Sequence, residues 1–256
     1  MSVFSTIRMW LVAAVFLAVP MAGVAGGGSS LSVFAHWRAG TVVSSSEVTA
    51  YGVDRCFRAS ALSDKVFARM RYSYVDNPYV HRTDLRYLQV LHYDLSGRIL
   101  LGEMVCNRRV ADDLLTIFRQ LYEAHYPIER MVLIDEYRAD DEQSMRANNT
   151  SCFCYRRVAG SSHVSAHGRG MAVDINPLYN PYVKRRANGT LFIQPATAGA
   201  YIHRNRTFNY KLEKGDLCYR LFIQHGFQWG GAWRSCQDYQ HFEKRLYTNV
   251  PQHPWR

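Results

Sequence analysis

The chain has 256 residues, of which 48% are hydrophobic and 20% charged, and its formal net charge is +10. It is long enough to bury a core as one domain. The positive charge favours polyanionic partners, but no Lys/Arg block or aromatic-basic repeat points to nucleic acid, so we expect no nucleic-acid partner.

The N-terminus has the pattern of a secretory signal peptide. Arg8 precedes an apolar run from Met9 to Pro20, and small residues follow. We predict a signal peptide over residues 1–25 and export to the periplasm, the cell envelope or the extracellular space. The alternative is an uncleaved membrane anchor, but the run is short for a spanning helix and Pro20 interrupts it. We therefore expect no permanent membrane span, and a basic mature chain that is attracted to an anionic cell-wall surface.

The six cysteines bear on the redox state of the chain. All of them follow the predicted signal peptide: Cys56, Cys106, Cys152, Cys154, Cys218 and Cys236. An even number of cysteines in an exported chain permits disulfides, but the sequence does not choose among the possible pairings. The spacing of Cys152 and Cys154 is not a usual zinc-ligand spacing, and no second cysteine pair matches it.

The first half of the chain shows a linker followed by a hairpin and a helix. Residues 26–50 are rich in Gly, Ser and Thr without clear periodicity, which is typical of a linker. We predict an N-terminal extension over residues 26–64 and a main domain over residues 65–250. β-forming residues predict strands over 85–94 and 99–105, with a turn at Ser96-Gly97. Apolar residues at helical spacing predict a helix over 110–122, and residues 131–134 predict a short buried strand.

The second half contains a strand with two distinct faces. Residues 171–176 alternate, so Met171, Val173 and Ile175 can pack on a core while Asp174 faces a cleft. Residues 216–224 predict a helix that ends before Gly226. Strands and helices are mixed without a regular strand–helix repeat, which favours an α+β fold over a doubly wound sheet.

Three residues have the chemistry of zinc ligands. His167 and Asp174 are separated by a glycine-containing segment that disfavours a helix and lets the backbone turn tightly, and His241 would supply a third ligand from elsewhere in the fold. Asp238 precedes His241 by three residues and is a candidate proton acceptor. His163 lies four residues before His167, but the surrounding glycines and serines make a shared helix face improbable, so we place it in a loop near the site.

Two motifs carry a family resemblance. Ser165-x-His167-x-x-Gly170-x-Ala172-x-Asp174, followed by Asp238-x-x-His241-Phe, resembles the D-alanyl-D-alanine carboxypeptidase and L-alanyl-D-glutamate endopeptidase family. These are zinc peptidases that cut the peptide stems of bacterial peptidoglycan. The resemblance covers roughly residues 65–247 and is closest to an exported branch that carries Asn148-Asn-Thr-Ser, Asn176-Pro-x-x-Asn-Pro181 and Trp229-Gly-Gly-x-Trp233.

The resemblance implies a zinc centre with a catalytic carboxylate. His167 and Asp174 match the first two zinc ligands of the family, and His241 matches the third. Asp238 matches the catalytic carboxylate. Ser165 falls on the serine beside the first histidine, where a substrate contact is expected.

The resemblance also implies an arginine and an aromatic wall. Arg138 matches the arginine that binds substrate and stabilises the oxyanion, and Arg156 is a second candidate for that role. Trp229 and Trp233 are interpreted either as a wall of the substrate cleft or as ordinary aromatic core.

The implied fold is a small antiparallel sheet flanked by helices, with the zinc site in a cleft on the sheet, as in hedgehog domains and D-Ala-D-Ala peptidases. The implied protein is a monomeric peptidase acting on peptidoglycan peptides, of the carboxypeptidase or the endopeptidase type. The alternative is a non-catalytic, zinc-stabilised cell-wall-binding module of the same fold. Asp238 favours an enzyme, because a structural zinc site needs no base.

Overall fold

The computed structural model describes residues 32–158 and 162–245, so the predicted signal peptide lies outside the described residues. Helices and three small antiparallel sheets are mixed along this part of the chain, which confirms the α+β class. In chain order the helices and strands are α1 Ser32–Ala35, β1 Val42–Val43, α2 Ser45–Tyr51, β2 Arg58–Ala61, α3 Asp64–Phe67, β3 Leu85–Tyr93, β4 Ile99–Asn107, α4 Ala111–Glu123, α5 Asp141–Arg146, β5 Ala172–Asp174, β6 Tyr182–Arg185, β7 Leu191–Gln194, α6 Leu217–Gln224, β8 Gln228–Trp229, β9 Gln237–Asp238 and β10 His241–Glu243.

The first sheet is built on the predicted hairpin. β3 and β4 pair along their whole length, from Leu85 opposite Asn107 to Tyr93 opposite Ile99. β1 and β2 lie at the two edges, so the strand order is β1-β4-β3-β2. The predicted helix is confirmed as α4, whose apolar stripe is buried in the main core together with Leu88 and Val90 of β3. The hairpin and the helix thus form the layer that supports the rest of the domain.

The N-terminal segment differs from a linker. Phe34, Val43 and Val48 are buried in one cluster with Leu91 and Leu101 of the central hairpin. β1 and β2 also complete the first sheet on both sides. This packing corrects the linker interpretation for its described part, residues 32–50. The apolar side chains of this segment pack in the core, although its composition is rich in Gly, Ser and Thr.

The prediction of a strand at residues 131–134 is wrong. Ile134 begins a 3₁₀ turn, Ile134–Tyr137, and the residues before it form no strand. The side chain of Asn149 accepts a hydrogen bond from the backbone N–H of Val132 at 2.9 Å and donates one to its carbonyl oxygen at 3.1 Å. The amide side chain thereby satisfies the backbone groups that a neighbouring strand would otherwise pair.

The second and third sheets lie close together in sequence at the C-terminal end. One has the strand order β5-β10-β8 and the other β7-β6-β9, and only two residues separate β9 from β10. The predicted alternation is confirmed, since Met171, Val173 and Ile175 are in the main core. The predicted C-terminal helix is confirmed as α6, whose N-cap Asp216 accepts a hydrogen bond from the backbone N–H of Tyr219.

The cysteines form no disulfide in this structure. All six are free thiols, and all except Cys236 are buried. Within residues 32–158 and 162–245, no helix is long and apolar enough to cross a membrane.

Candidate metal centre

His167 is placed by a tight turn that only glycine permits. It begins a 3₁₀ turn, His167–Arg169, which ends at Gly170 with φ of 66°. A Cβ atom on Gly170 would lie 2.7 Å from the backbone nitrogen of Asn107, and one on Gly168 would lie 2.8 Å from the carbonyl oxygen of Arg156. Such contacts are closer than carbon and backbone atoms tolerate, so both glycines let the turn approach its neighbours.

Asp174 and His241 are placed by strand pairing. They lie on β5 and β10, which are antiparallel, and their Cα atoms are direct partners in the register. Directly paired residues project from the same face of a sheet. The sequence therefore brings together two side chains that are 67 residues apart.

The three side chains present one donor atom each to a common point. His241 Nδ1 lies 3.1 Å from both His167 Nε2 and Asp174 Oδ1, and His167 Nε2 lies 3.2 Å from Asp174 Oδ1. Two ligands bonded to one zinc ion at about 2.0–2.1 Å and at a tetrahedral angle lie about 3.3 Å apart. The spacing and the donor set therefore fit a zinc ion, and among the described residues this is the group of three or more His, Cys, Asp or Glu side chains that could hold a metal.

Outer hydrogen bonds fix which nitrogen of each histidine faces the common point. His167 Nδ1 is 2.7 Å from the carbonyl oxygen of Cys152, so Nδ1 carries the proton and Nε2 offers its lone pair. His241 Nε2 is 3.5 Å from Glu243 Oε2, which in the same way leaves Nδ1 of His241 as the ligand atom. Metal-ligating histidines are ordinarily oriented by carbonyl or carboxylate partners of this kind.

The electrostatics of this cluster favour a bound cation. Burial alone would raise the pKa of Asp174, but the adjacent His167 and His241 hold it well below its usual range. Burial alone would lower the pKa of His241, yet hydrogen bonds to Asp174 and Glu243 raise it to about 10. The buried Asp174 carboxylate thus favours a positive charge on His241, and a bound metal ion would take the place of that proton.

Asp238 lies close enough to the three donors to interact with them electrostatically, and one of its two oxygens is left free. Its Oδ1 is buried and has no hydrogen-bond partner among the described residues. Burial, as the largest effect, raises the pKa of Asp238 to about 6, with Asp174 also raising it and His241 lowering it. A carboxylate with a buried, unpartnered oxygen can accept a proton from a molecule in the cleft.

Glu243 is a site residue that sequence reasoning missed. It lies two residues after His241 in β10 and therefore on the same face of the strand. Hydrogen bonds to His241, the largest effect, and to Arg245 lower the pKa of Glu243 to about 2. The signal that could have found it is the period of two within the predicted His-Phe-Glu strand.

The two candidate arginines occupy different environments. Arg138 has a φ of 56° and an exposed side chain, which makes no hydrogen bond or ion pair within the described part of the chain. Arg156 Nε lies 2.7 Å from Asp141 Oδ2. Burial raises the pKa of Asp141, which is also influenced by Arg156, His167 and Asp174, so Asp141 lies near the metal ligands. The role of Arg138 stays a prediction, and the structure brings Arg156, with Asp141 as a partner that sequence reasoning missed, to the side of the candidate site.

Of the remaining candidate residues, one supports the turn that carries a ligand and another lines the candidate site. Ser165 Oγ accepts a hydrogen bond from the backbone N–H of Gly168 at 2.9 Å, so the hydroxyl supports the turn that carries His167. The half-buried Trp233 has its ring centroid 5.3 Å from that of His241 and forms a wall of the site. Trp229 is buried in the core, where its Nε1 donates to the carbonyl oxygen of Tyr239. Trp233 therefore fits the interpretation as a wall of the cleft, and Trp229 fits the interpretation as aromatic core.

A family model described as D-alanyl-D-alanine carboxypeptidase matches residues 159–244. The predicted resemblance to this family is confirmed. The matched segment contains all three metal-ligand candidates, together with Ser165 and Asp238. The D-alanyl-D-alanine carboxypeptidase match indicates a peptidase, and the His/Asp/His group is one that could bind a metal. No curated protein and no solved structure matches the chain.

Proposed function

We propose that the protein is an exported, monomeric zinc peptidase that hydrolyses peptide bonds in the stem peptides of peptidoglycan. The observation that carries this proposal is the convergence of His167, Asp174 and His241 within 3.2 Å of one another, beside the unpartnered Oδ1 of Asp238. This arrangement lies within the segment that matches the D-alanyl-D-alanine carboxypeptidase family. The signal-like N-terminus and the basic charge of the chain support action at an anionic cell wall.

His167 Nε2, Asp174 Oδ1 and His241 Nδ1 would hold the zinc ion, which leaves a position open for water or substrate. When bound, zinc supplies Lewis-acid polarisation of the scissile carbonyl and activation of the attacking water. Cys152 and Glu243 contribute by keeping the two imidazole rings in the orientation and tautomer that ligation requires.

Asp238 is the residue that moves the proton. Its unpartnered Oδ1 accepts a proton from the attacking water and then delivers it to the nitrogen of the leaving amine. Burial raises the pKa of Asp238 to about 6 in the metal-free protein, and a cation held by the neighbouring ligands would lower it, so the carboxylate is ionised at neutral pH and able to accept a proton. A purely structural zinc site would have no use for a buried carboxylate oxygen that has no partner in the part of the chain that the structure describes.

Arg156 is the arginine we assign to the substrate. Its planar guanidinium can donate to the developing oxyanion or to a carboxylate of the peptide. The ion pair with Asp141 limits the conformations of this long side chain, so that less entropy is lost when substrate binds. Trp233 adds an apolar wall beside His241.

Metal analysis and muropeptide digestion test the proposal together. The wild-type protein should hold one zinc ion per chain and cleave defined stem peptides, with products identified by mass spectrometry. His167→Ala should lose the zinc, whereas Asp238→Asn should keep it and lose at least about a hundredfold in rate. Loss of a terminal D-Ala would identify a carboxypeptidase, and cleavage between L-Ala and D-Glu an endopeptidase. A zinc-bound wild type that binds peptidoglycan but cleaves no stem peptide would instead support the non-catalytic binding module.

A further inference from the structure

A groove of about 770 Å³ is lined by residues that flank two of the candidate metal ligands. Glu243 lines this groove and also contacts His241, and the two residues project from the same face of β10. On the other side, Ser165 and Ala166 line the groove immediately before His167. The groove therefore lies next to two of the candidate ligands, before His167 and on the Nε2 side of His241, although none of the three ligands lines it. Its volume is in the range of pockets that bind small molecules and short peptides.

Two of the four cations that line the groove have no side-chain partner among residues 32–158 and 162–245. Lys244 Nζ is paired with Asp113 at 2.7 Å, and Arg245 Nε is paired with Glu243 at 2.9 Å. The side chains of Arg109 and Arg169 make no ion pair or hydrogen bond with any residue that the structure describes. Their guanidinium groups are therefore available to an anion from solution.

One buried side chain holds the backbones of both free arginines. Asn107 Nδ2 donates a hydrogen bond to the carbonyl oxygen of Arg169 at 3.1 Å, and Asn107 Oδ1 accepts one from the backbone N–H of Arg109 at 3.1 Å. Asn107 is only 9% exposed and itself lines the groove. The two arginines thus start from fixed positions on either side of one amide, at the end of β4 and at the end of the His167 turn.

The remaining lining indicates the class of ligand. Val80, Val164 and Met171 are buried and give the groove an apolar floor. Asp84 and Glu243 add negative charge to a lining that also carries the arginines. A dense polyanion would be repelled by these carboxylates and would gain nothing from the apolar floor. A short peptide would match all three kinds of lining residue: its small apolar side chains the apolar floor, its free carboxylate the arginines, and its amine the carboxylates.

We propose that Arg109 and Arg169 bind a carboxylate of the peptide substrate, so that the groove is a second subsite which selects carboxylate-bearing stem peptides. This inference rests on the proposed function, because the ligand is the peptide presented to the metal centre. Arginine suits the task because its fork of N–H donors matches the two oxygens of a carboxylate.

The test compares stem peptides in which each carboxylate is converted in turn to an amide. With the zinc-loaded wild type, one of these amidations should raise KM about tenfold. In the double variant Arg109→Gln/Arg169→Gln, KM for the unmodified peptide should already be raised by a similar factor, and that amidation should have no further effect. The matched control Arg55→Gln/Arg71→Gln removes the same charge from exposed arginines that do not line the groove, and it should behave as wild type.

Binding measured separately from hydrolysis distinguishes the two proposals. Peptide affinity is determined by fluorescence polarisation in the zinc-loaded Asp238→Asn background, with and without the two arginine substitutions. Carboxylate-dependent binding without hydrolysis by the wild type would reject the proposed function and keep the subsite. Hydrolysis with the same amidation effect in wild type and Arg109→Gln/Arg169→Gln would overturn the subsite. Loss of affinity for a polyglycerol-phosphate polymer alone, with unchanged peptide KM, would also overturn it.

Discussion

Gly230 is the position where the smallest change should disturb the proposed chemistry most. It begins the 3₁₀ turn Gly230–Ala232, which follows β8 and lies against the Asp238 motif. A Cβ atom at this position would lie 2.8 Å from both the Cβ and the backbone oxygen of Asp238, and 3.3 Å from the Cβ of His241. None of these three contacts can be relieved by rotating the end of a flexible side chain, because the atoms concerned are a backbone oxygen and two Cβ atoms.

The magnitude follows from this geometry. Non-bonded carbon atoms are most favourable at about 3.5–4.0 Å, so Gly230→Ala must move Asp238 by roughly 0.7 Å. Overpacking of this kind costs about 1–3 kcal/mol of unfolding free energy. Misplacement of a catalytic group by about 1 Å can cost about a hundredfold in rate, so we expect kcat/KM to fall by about tenfold or more.

The assay is hydrolysis of a defined stem peptide, measured together with zinc content and thermal unfolding. Gly199→Ala is the matched control, because a Cβ at Gly199 meets no atom within 4 Å and φ there is not positive. That variant should keep wild-type rate and stability. If Gly230→Ala kept the wild-type kcat/KM with one bound zinc, the inferred contact with Asp238 could not be part of the catalytic geometry.

Three further predictions concern stability, metal affinity and redox state. Burial lowers the pKa of His92 to about 4, so only the unfolded chain takes up a proton at this residue as the pH falls from about 6.5 to 4. Over this range, the free energy of unfolding measured with urea should fall by about 3 kcal/mol more in the wild type than in His92→Asn. Parallel pH profiles of the two proteins would contradict this prediction. Glu243→Ala should weaken zinc binding by about 10- to 100-fold in a chelator competition, since His241 loses its outer partner; an unchanged affinity would remove Glu243 from the site. A thiol reagent should find all six cysteines reactive after unfolding without reductant and should modify Cys236 first in the folded protein, whereas fewer reactive thiols would reveal disulfides.

Local patterns predicted those parts of the fold that local physics determines. The β3–β4 hairpin and α4 follow from β-forming residues around a Ser-Gly turn and from apolar residues at helical spacing. The alternation in residues 171–176 correctly oriented Asp174, because the period of two is a property of any strand. The three donors of the candidate metal centre were also predictable, since residue type limits which side chains can hold zinc.

Features that depend on residues far away in the sequence were not predictable from local sequence patterns. Residues 32–50 lack periodicity, yet Phe34 and Val43 are buried because a separate hairpin offers them an apolar surface. The backbone at Val132 forms no strand because the side chain of Asn149 satisfies it. The difference between Arg138 and Arg156 depends on Asp141, which comes from another part of the chain. No spacing rule connects these residues.

Two carboxylates near His241 have opposite environments, and this difference supports separate roles for them. Glu243 is held by His241 and Arg245, which lower its pKa to about 2, so it stays ionised and fixes the imidazole. Asp238 has a buried oxygen without a partner, and burial raises its pKa to about 6. A carboxylate that is already paired with two cations gains little from a proton, whereas a desolvated one with a free oxygen gains more. Where neighbouring acids are driven apart in this manner, the one with the raised pKa is the one suited to proton transfer. The local environments therefore support our proposal that Asp238 transfers the proton and Glu243 holds the histidine.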